Sequence, residues 1–194
     1  MSTWKSLLRP ALVCYAALTL LTGIAYPAFV TGAAQAVFSR QANGSIMKAT
    51  PADGSSRELG SALLAQTFTE PKYLIGRPPG PAANLSPVGE EEVARVREVV
   101  AWWHALDPAN QAAIPIDLVT VSGSGADPRI SPAAAEYQVG RIARVRGVPE
   151  EAVRRVIKRY TSQRFLSFWG EPAVNVLEVN AALDGLYGNT ASRP

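Results

Sequence analysis

The loop at residues 121–132, VSGSGADPRISP, carries the residue types best suited to chemistry. Its hydroxyls at Ser122 and Ser124 could act as nucleophiles, and the N–H groups of its glycines could face a phosphate ahead of the following helix. The loop lacks the lysine of a Walker motif, and Ser122 stands where a G-x-S-x-G nucleophile elbow needs its first glycine. These departures favour a structural turn that leads into a capped helix.

The histidine and cysteine content restricts the chemistry further. The single histidine, His104, follows two tryptophans near a predicted helix end, which favours a structural role and leaves the serines without an evident general base. The single cysteine, Cys14, excludes an intramolecular disulfide and a cysteine-ligated metal cluster. The composition therefore counts against an independent enzyme.

Two further features could bind a partner. Asparagine is a poor helix former, yet Asn175 and Asn180 flank Glu178 on the last predicted helix, where they could bind backbone across a packed interface or cap the helix locally. Residues 129–164 contain nine basic and three acidic residues, which indicates either a solvated face or a contact with an anionic headgroup or acidic protein. Outside a cell this excess would not indicate nucleic acid.

The chain begins with a long uncharged stretch. No charged residue occurs between Arg9 and Arg40, and the apolar run at 11–30 matches the about 20 residues that a membrane-spanning helix needs. The Ala34-Gln35-Ala36 pattern also fits a cleavable signal, but the apolar run is longer than the roughly 7 to 15 residues typical of one. The basic residues before the run predict a cytoplasmic N-terminus and an extracytoplasmic C-terminal part.

We therefore predict a cytoplasmic N-terminus at 1–10, a membrane helix at 11–34 and one extracytoplasmic α+β domain at 35–194. Thr19, Gly23 and Pro27 recur every four residues and could form a face that packs on another helix, although small residues are common in any such helix.

Helix and strand signals divide the predicted domain. Ser86-Pro87, Ser131-Pro132 and Pro149 predict three helix starts, and a fourth helix is predicted from Val174 to Leu183 with Gly185 as its cap. Apolar stripes on the first and third helices predict core positions at Val93, Val96, Val100, Trp103, Val153, Val156, Ile157 and Tyr160. Strands are predicted at 61–68, 114–122 and 164–170, and the proline-rich 76–87 is expected to be a loop or a binding segment.

Motifs along most of the chain resemble one family. They are LRPAL at 8–12, Tyr26-Pro27, QANGS at 41–45, GSALLAQTF at 60–68, GRP at 76–78, DLVTVSGSGADPRISPAAAEYQ at 117–138 and GEPAVNVLEVNAALD at 170–184. Together they are similar to the C subunit of the Kdp potassium-transporting ATPase, the KdpC family. One departure is the loop at 79–85, which is shorter than the glycine-rich stretch usual in the family.

The resemblance implies a non-catalytic accessory subunit with one membrane helix and an outer domain. Its partners would be the lipid bilayer, a channel-like potassium-binding subunit and a P-type ATPase subunit, with no nucleic acid. The complex would handle ATP and potassium, and this subunit would act as a catalytic chaperone that raises the apparent ATP affinity. Direct ATP contact fits poorly with an outer domain, so an indirect effect is expected.

The expected partner-contact or loop residues are Gly76, Arg77, Pro78, Ser122, Gly123, Ser124, Gly125, Asp127, Asn175, Glu178 and Asn180. No catalytic residue and no metal ligand are predicted. The alternatives are an independent membrane-anchored hydrolase using Ser122 or Ser124, and a free-standing exported binding module.

Overall fold

The structure is a computed structural model that describes residues 3–49, 57–81, 85–86, 88–164, 166 and 168–185. The chain divides into two compact units at residues 1–46 and 47–194. Each unit is described separately.

The first unit is dominated by one long helical segment. Helix α1 (Thr3–Leu20) continues through a π-helical turn (Leu21–Ala25) into α2 (Tyr26–Val37), and a short helix α3 (Ser39–Ala42) follows. The π-helical turn forms here because Pro27 has no N–H to donate to the carbonyl of the residue four positions earlier. The N–H of Tyr26 instead donates to Leu21 O, which is the spacing of a π-turn.

This segment is long and apolar enough to cross a membrane. The stretch Ser6–Val37 has 32 residues, an 18-residue window of it has a mean hydropathy of 1.7, and none of that window is buried by the rest of the chain. At about 1.5 Å per residue it exceeds the roughly 30 Å thickness of a hydrocarbon core. The helix begins before the predicted start at residue 11 and continues ten residues beyond Pro27.

The second unit is a mixed α+β domain, as predicted. Strand β1 (Ile46–Ala49) pairs with β2 (Arg57–Ser61). Strands β3 (Arg129–Ile130), β4 (Thr161–Ser162) and β5 (Ala173–Asn175) form a sheet in the order β3-β5-β4. Both pairings are antiparallel, with Ile130 and Thr161 each opposite Val174.

Among the described residues, the three predicted strands are wrong apart from Ser61 and an isolated bridge at Trp169. After Ser61 the chain turns, because Gly60 has a φ of +130° and the side chain of Gln66 lies where a Cβ of residue 60 would be. Residues Ile116–Leu118 form a 3-10 turn after Pro115. In the described part of 164–170, Leu166 and Gly170 adopt positive φ angles of 50° and 87°, which breaks an extended strand.

Five helices complete the domain: α4 (Glu90–Leu106), α5 (Pro132–Tyr137), α6 (Val139–Arg146), α7 (Glu150–Arg159) and α8 (Val176–Leu183). The predicted starts at Ser131-Pro132 and Pro149 are confirmed, and Ser131 Oγ accepts a hydrogen bond from Ala134 N at 3.0 Å. Gly185 ends the last helix at a φ of 71°, as predicted.

Two helix boundaries differ from the prediction. Helix α4 begins at Glu90 rather than Ser86, and its three N-terminal glutamates favourably oppose the helix dipole. Residue Pro87 and residues 82–84 of the predicted loop lie outside the described residues. Helix α8 begins two residues late, because Val174 belongs to β5.

The predicted core stripes are confirmed in part. Trp103, Val153, Ile157 and Tyr160 are buried, whereas Val96, Val100 and Val156 are half-buried and pack against the core. Val93 is half-buried. Leu118, Ile130, Val139, Ile142, Val174 and Val179 complete the fully buried centre, on which the site described below is built.

Candidate functional site

Residues 71–75 form an irregular backbone segment, buried at Leu74 and Ile75, that is held by side chains rather than by a sheet. The amide of Asn180 on α8 accepts from Leu74 N at 2.7 Å and donates to Leu74 O at 2.8 Å. The amide of Gln138 does the same at Ile75, with distances of 2.8 and 2.9 Å. Two side-chain amides thus take the place of a neighbouring strand.

Two arginines of α6 bind the remaining carbonyls of this segment. The buried guanidinium of Arg141 donates to the carbonyls of Pro71 and Tyr73 and to Gln138 Oε1. Arg146 donates to Lys72 O at 2.7 Å and forms an ion pair with Asp184 at 2.8 Å. Every residue from 71 to 75 therefore has a backbone group that is hydrogen-bonded to the side chain of Gln138, Arg141, Arg146 or Asn180.

Burial changes the protonation energetics of this cluster. Desolvation lowers the pKa of Arg141 to about 10, against a smaller opposing effect of the Asp107 carboxylate, so the group stays charged at neutral pH. Its guanidinium lies 5.9 Å from the ring centroid of Trp103. Burial, followed by the hydrogen bond that Tyr73 donates to Asp184 at 2.9 Å, raises the pKa of Tyr73.

The residues named from the sequence at the start of α8 and within it have different roles: Asn175 precedes the helix as its cap, and Glu178 and Asn180 lie in it. Asn180 is 2% exposed and binds backbone across a packed contact. Asn175 does both things considered for it: its Oδ1 accepts from Glu178 N at 3.1 Å as a cap, and its Nδ2 donates to Ala62 O at 2.9 Å. The interpretations left open from the sequence are therefore both present on one helix.

The loop at 121–127 is a tight turn that uses its own donors. Gly125, at a φ of 70°, donates its N–H to Ser122 O at 3.0 Å. The N–H groups of Ala126 and Asp127 donate to Ser124 Oγ and Ser122 Oγ at 3.2 and 3.4 Å. Because these N–H groups are already bonded within the loop, its geometry fits a turn better than a phosphate cradle.

A buried carboxylate supports the exit of this loop, and the sequence reading did not identify it. Asp117, which is 5% exposed, accepts from Ser131 N at 2.6 Å and from Ser131 Oγ at 3.2 Å. The same hydroxyl caps α5. Residues 117–120 were predicted as part of a strand. Asp117 was therefore not considered as a hydrogen-bond partner of the capping serine, Ser131.

The GRP and SGSGAD segments meet at one cavity of about 470 Å³. This volume lies within the roughly 300 to 1,000 Å³ of ligand pockets. Six of the residues named from the sequence line it: Gly76, Arg77, Pro78, Ser122, Gly125 and Asp127. The lining also includes 65–69, Ile75, Pro79, Gly80, Glu98, Val99, Trp102, Trp103 and Leu118.

Arg77 is the polar side chain of the cavity whose hydrogen bonding is incomplete. Its Nε is buried without a hydrogen-bond partner among the described residues. The carboxylate of Asp127 is engaged by Arg129, whose N and Nε lie 3.1 and 3.3 Å from Asp127 Oδ1. Trp102, 39% exposed, adds an apolar surface to the same cavity. Arg77 Nε is therefore a buried donor for which the described residues supply no acceptor.

The serines of the cavity lack the partners of an activated nucleophile. Ser122 is buried, and its Oγ lies 3.4 Å from Ser124 Oγ. Within the described ranges, neither hydroxyl bonds to a histidine, lysine or carboxylate side chain, the usual general bases. His104 is exposed in the last turn of α4. This geometry gives no support to hydrolase chemistry.

The remaining predicted site residues lie away from the cavity lining. Gly123 and Ser124 are exposed in the same loop. Thr19 and Pro27 lie in α1 and α2, and Gly23 lies in the π-turn. A Cβ at Gly23 would meet no atom within 4 Å, so the chain's own packing does not require glycine there.

Most of the basic excess at 129–164 is used inside the domain. Arg144 pairs with the buried Asp107 at 3.0 Å, and Arg154 bridges Glu136, Glu150 and Glu151. Arg141 and Arg146 serve the 71–75 segment. Arg129 pairs with Asp127, and the other basic residues of this range, Arg155, Lys158, Arg159 and Arg164, lie on α7 and in the chain that follows it.

An exposed apolar helix of this length, joined to a small α+β domain, defines a membrane-associated protein with one candidate span. Comparison with known protein families identifies the kind of protein: residues 8–185 match the family described as KdpC, K+-transporting ATPase, c chain. The chain belongs to this family.

Curated relatives agree along nearly the whole chain, and each is named potassium-transporting ATPase KdpC subunit. The protein of Listeria monocytogenes serotype 4a (strain HCC23) is 53% identical over 188 residues, covering 96% of this chain and 97% of the relative. That of Polaromonas naphthalenivorans (strain CJ2) is 47% identical, with 94% and 96% covered. That of Sorangium cellulosum (strain So ce56) is 49% identical, with 92% and 97% covered.

Proposed function

We propose that this chain is a non-catalytic, single-span subunit that stabilises a potassium-transporting ATPase complex through the cavity at Arg77. Its partners are a channel-like potassium-binding subunit and a P-type ATPase subunit. The observation that carries the proposal is the convergence of the 76–78 and 122–127 segments on one cavity with a partnerless Arg77 Nε. Such a cavity suits an acceptor group carried by a neighbouring subunit.

The energetics of Arg77 support a contact of this kind. Arginine is enriched among the residues that dominate interface energies, especially where it is partly buried and beside an aromatic side chain. A carbonyl or carboxylate entering the cavity would satisfy Nε without rebuilding the loop, because the segments on both sides are already fixed. The pre-organised cavity thus reduces the ordering cost of association.

The effect on ATP would be indirect. The subunit raises the apparent ATP affinity of the hydrolysing subunit by favouring one state of the complex, which requires only different contacts in the two states. In the loop that most resembles a phosphate site, the N–H groups of residues 125–127 already donate hydrogen bonds to Ser122 and Ser124. Potassium and ATP are handled by the complex.

The N-terminal helix is the second attachment in this proposal. Lys5 and Arg9 precede the apolar stretch, which favours a cytoplasmic N-terminus and an extracytoplasmic domain. Thr19, Gly23 and Pro27 would form its contact face. In lipid, small residues at such a face allow close backbone approach, which drives helix association.

Co-purification of the complex in mild detergent tests both attachments. Arg77→Gln is expected to weaken retention of the subunit by about 10- to 100-fold, corresponding to about 1 to 3 kcal/mol for a lost charged hydrogen bond. Gly23→Leu is expected to stay in the membrane but to be lost from the complex. The Michaelis constant for ATP should rise in each complex in proportion to the loss of subunit.

Arg97→Gln is the matched control, because Arg97 lies on the exposed side of α4 outside the cavity lining. Retention equal to wild type for Arg77→Gln would disprove the role of the cavity. If Gly23→Leu were retained in the complex like wild type, the helix would only anchor the domain and would not contact another subunit through this face. An unchanged ATP dependence in a complex without the subunit would contradict the chaperone role.

A further inference from the structure

The connection between β4 and β5 exposes large apolar side chains at its tip. Residues 163–172, of which the structure describes all but 165 and 167, connect the two antiparallel strands as a hairpin loop. Leu166, Phe168 and Trp169 in it are 66%, 69% and 70% exposed. Few positions of a folded domain combine three large apolar side chains so closely at this exposure, and such a patch indicates a binding surface.

The backbone of the loop presents these side chains at a conformational cost. Leu166 has a φ of 50°, a left-handed conformation that L side chains rarely adopt. Phe168 and Trp169 contact one another, with ring centroids 6.3 Å apart, instead of folding back onto the core. Strain of this kind at an exposed tip is typical of functional segments rather than of idle loops.

The charges around the tip are mostly basic, with Glu171 as the acidic exception. No acidic residue occurs between Glu151 and Glu171, whereas Lys158, Arg159 and Arg164 fall in that interval. Arg164 makes an exposed ion pair with Glu171 at 3.6 Å, which is too open to neutralise it strongly. The surface is therefore an apolar tip beside a basic flank.

An anionic lipid surface matches this surface better than a protein does. Tryptophan and phenylalanine prefer the headgroup region of a bilayer, and lysine and arginine near it are attracted to anionic lipids. A protruding tip of a few residues is also far smaller than the roughly 800 Å² that each partner buries in a standard protein interface. The domain is covalently joined to the apolar helix at Ser6–Val37, so the bilayer that this helix is proposed to span is near the domain.

We propose that the hairpin loop at 163–172 inserts Leu166, Phe168 and Trp169 into the headgroup region of an anionic bilayer, held there by Arg164 and the basic end of α7. This contact adds a second membrane attachment to the chain and restricts the orientation of the domain above the bilayer. The inference rests on the membrane span proposed above but not on the cavity at Arg77.

A fluorescent probe at the tip tests the contact in the full-length protein. Cys14 is the single cysteine, so Cys14→Ser allows an environment-sensitive fluorophore to be placed at Phe168→Cys. The protein is reconstituted into vesicles of phosphatidylcholine with phosphatidylglycerol, or of phosphatidylcholine alone, each with lipids that carry a nitroxide quencher. The matched control is Ile116→Cys, at another exposed apolar position that is 75% exposed.

We expect the probe at 168 to emit at shorter wavelength and to be quenched by the nitroxide lipid in the mixed vesicles, with a clear loss of quenching in phosphatidylcholine alone and after Arg164→Glu. The probe at 116 should stay in water in both. Equal emission at the two positions would overturn the proposal. Equal quenching in the two vesicle types would overturn the anionic surface, and protection only with the other ATPase subunits present would assign the tip to a protein.

The span is tested separately in the same samples. An alkaline carbonate wash removes proteins that are bound only at the surface, so protein lost in the wash means that the membrane span fails. The probe result is read only from the retained protein, where failure belongs to the loop.

Discussion

The 71–75 segment and the 163–172 loop are both irregular connections, yet they differ in almost every physical respect. Leu74 and Ile75 are 0% and 7% exposed, and helix side chains bind the surrounding backbone. At the tip of the loop, Phe168 and Trp169 are 69% and 70% exposed. Irregular backbone can therefore be either part of the core or a surface left for a partner.

The difference lies in where the backbone polar groups are satisfied. A buried segment cannot leave N–H and C=O groups unpaired without a cost, so it must find partners. Asn180, Gln138 and Arg141 supply them because each presents donors or acceptors in a fixed planar geometry. The hairpin loop meets no such demand, since water, or a headgroup, is always available to it.

The largest expected effect on this contrast comes from Arg141→Met. The change leaves the part-buried carbonyls of Pro71 and Tyr73 without their donor, and we expect a loss of about 3 to 4 kcal/mol of unfolding free energy, since a fully buried carbonyl left without a donor costs about 1 to 3. Urea unfolding of the full-length chain in detergent, followed by circular dichroism, measures it.

The exposed Arg155 of α7 provides the control. Arg155→Met should change the unfolding free energy by no more than about 0.5 kcal/mol. If Arg141→Met matched this control, apolar packing alone would hold the segment.

The sequence predicted the features that depend on neighbours in the chain. Serine before proline marked the start of α5, proline before two glutamates marked α7, and a 3.6-residue stripe marked Val153 and Ile157 as core. Each of these signals is complete within one or two helical turns. The mixed fold class is confirmed, although the strand positions predicted with it are wrong.

The features that the sequence did not reveal depend on distant pairs. Leu74 and Asn180 are 106 residues apart, and Ile75 and Gln138 are 63 apart, so no local pattern predicts their hydrogen bonds. The strands were missed because they have only two to five residues and the apolar runs belong to turns. The cavity joined two motifs that had been named separately.

A smaller effect is expected from Asn180→Leu, which tests whether one amide replaces a strand. The leucine leaves the N–H and C=O of Leu74 unpaired, and we expect about 2 to 3 kcal/mol of destabilisation. Hydrogen exchange at the Leu74 amide should also accelerate. Asn175→Ala on the same helix removes a cap and should cost about 1 kcal/mol without affecting Leu74. Slow exchange at Leu74 in Asn180→Leu would show that burial, not the amide, protects it.

The smallest loss of unfolding free energy is expected for an exposed phenylalanine. Replacing a phenylalanine that packs on the core and one in the exposed loop compares the two regions directly. Phe68 packs on the core with its ring centroid 5.3 Å from that of Tyr73, whereas Phe168 is 69% exposed. Replacement by serine should cost about 1 to 2 kcal/mol at the half-buried Phe68, somewhat less than the roughly 1.5 to 3 kcal/mol of a fully buried apolar side chain, and less than about 0.5 kcal/mol at Phe168. Urea unfolding in detergent micelles without anionic lipid isolates the domain's own stability. A large loss for Phe168→Ser there would mean that the tip is a structural element of the domain, and its exposure would then need another explanation than a bilayer.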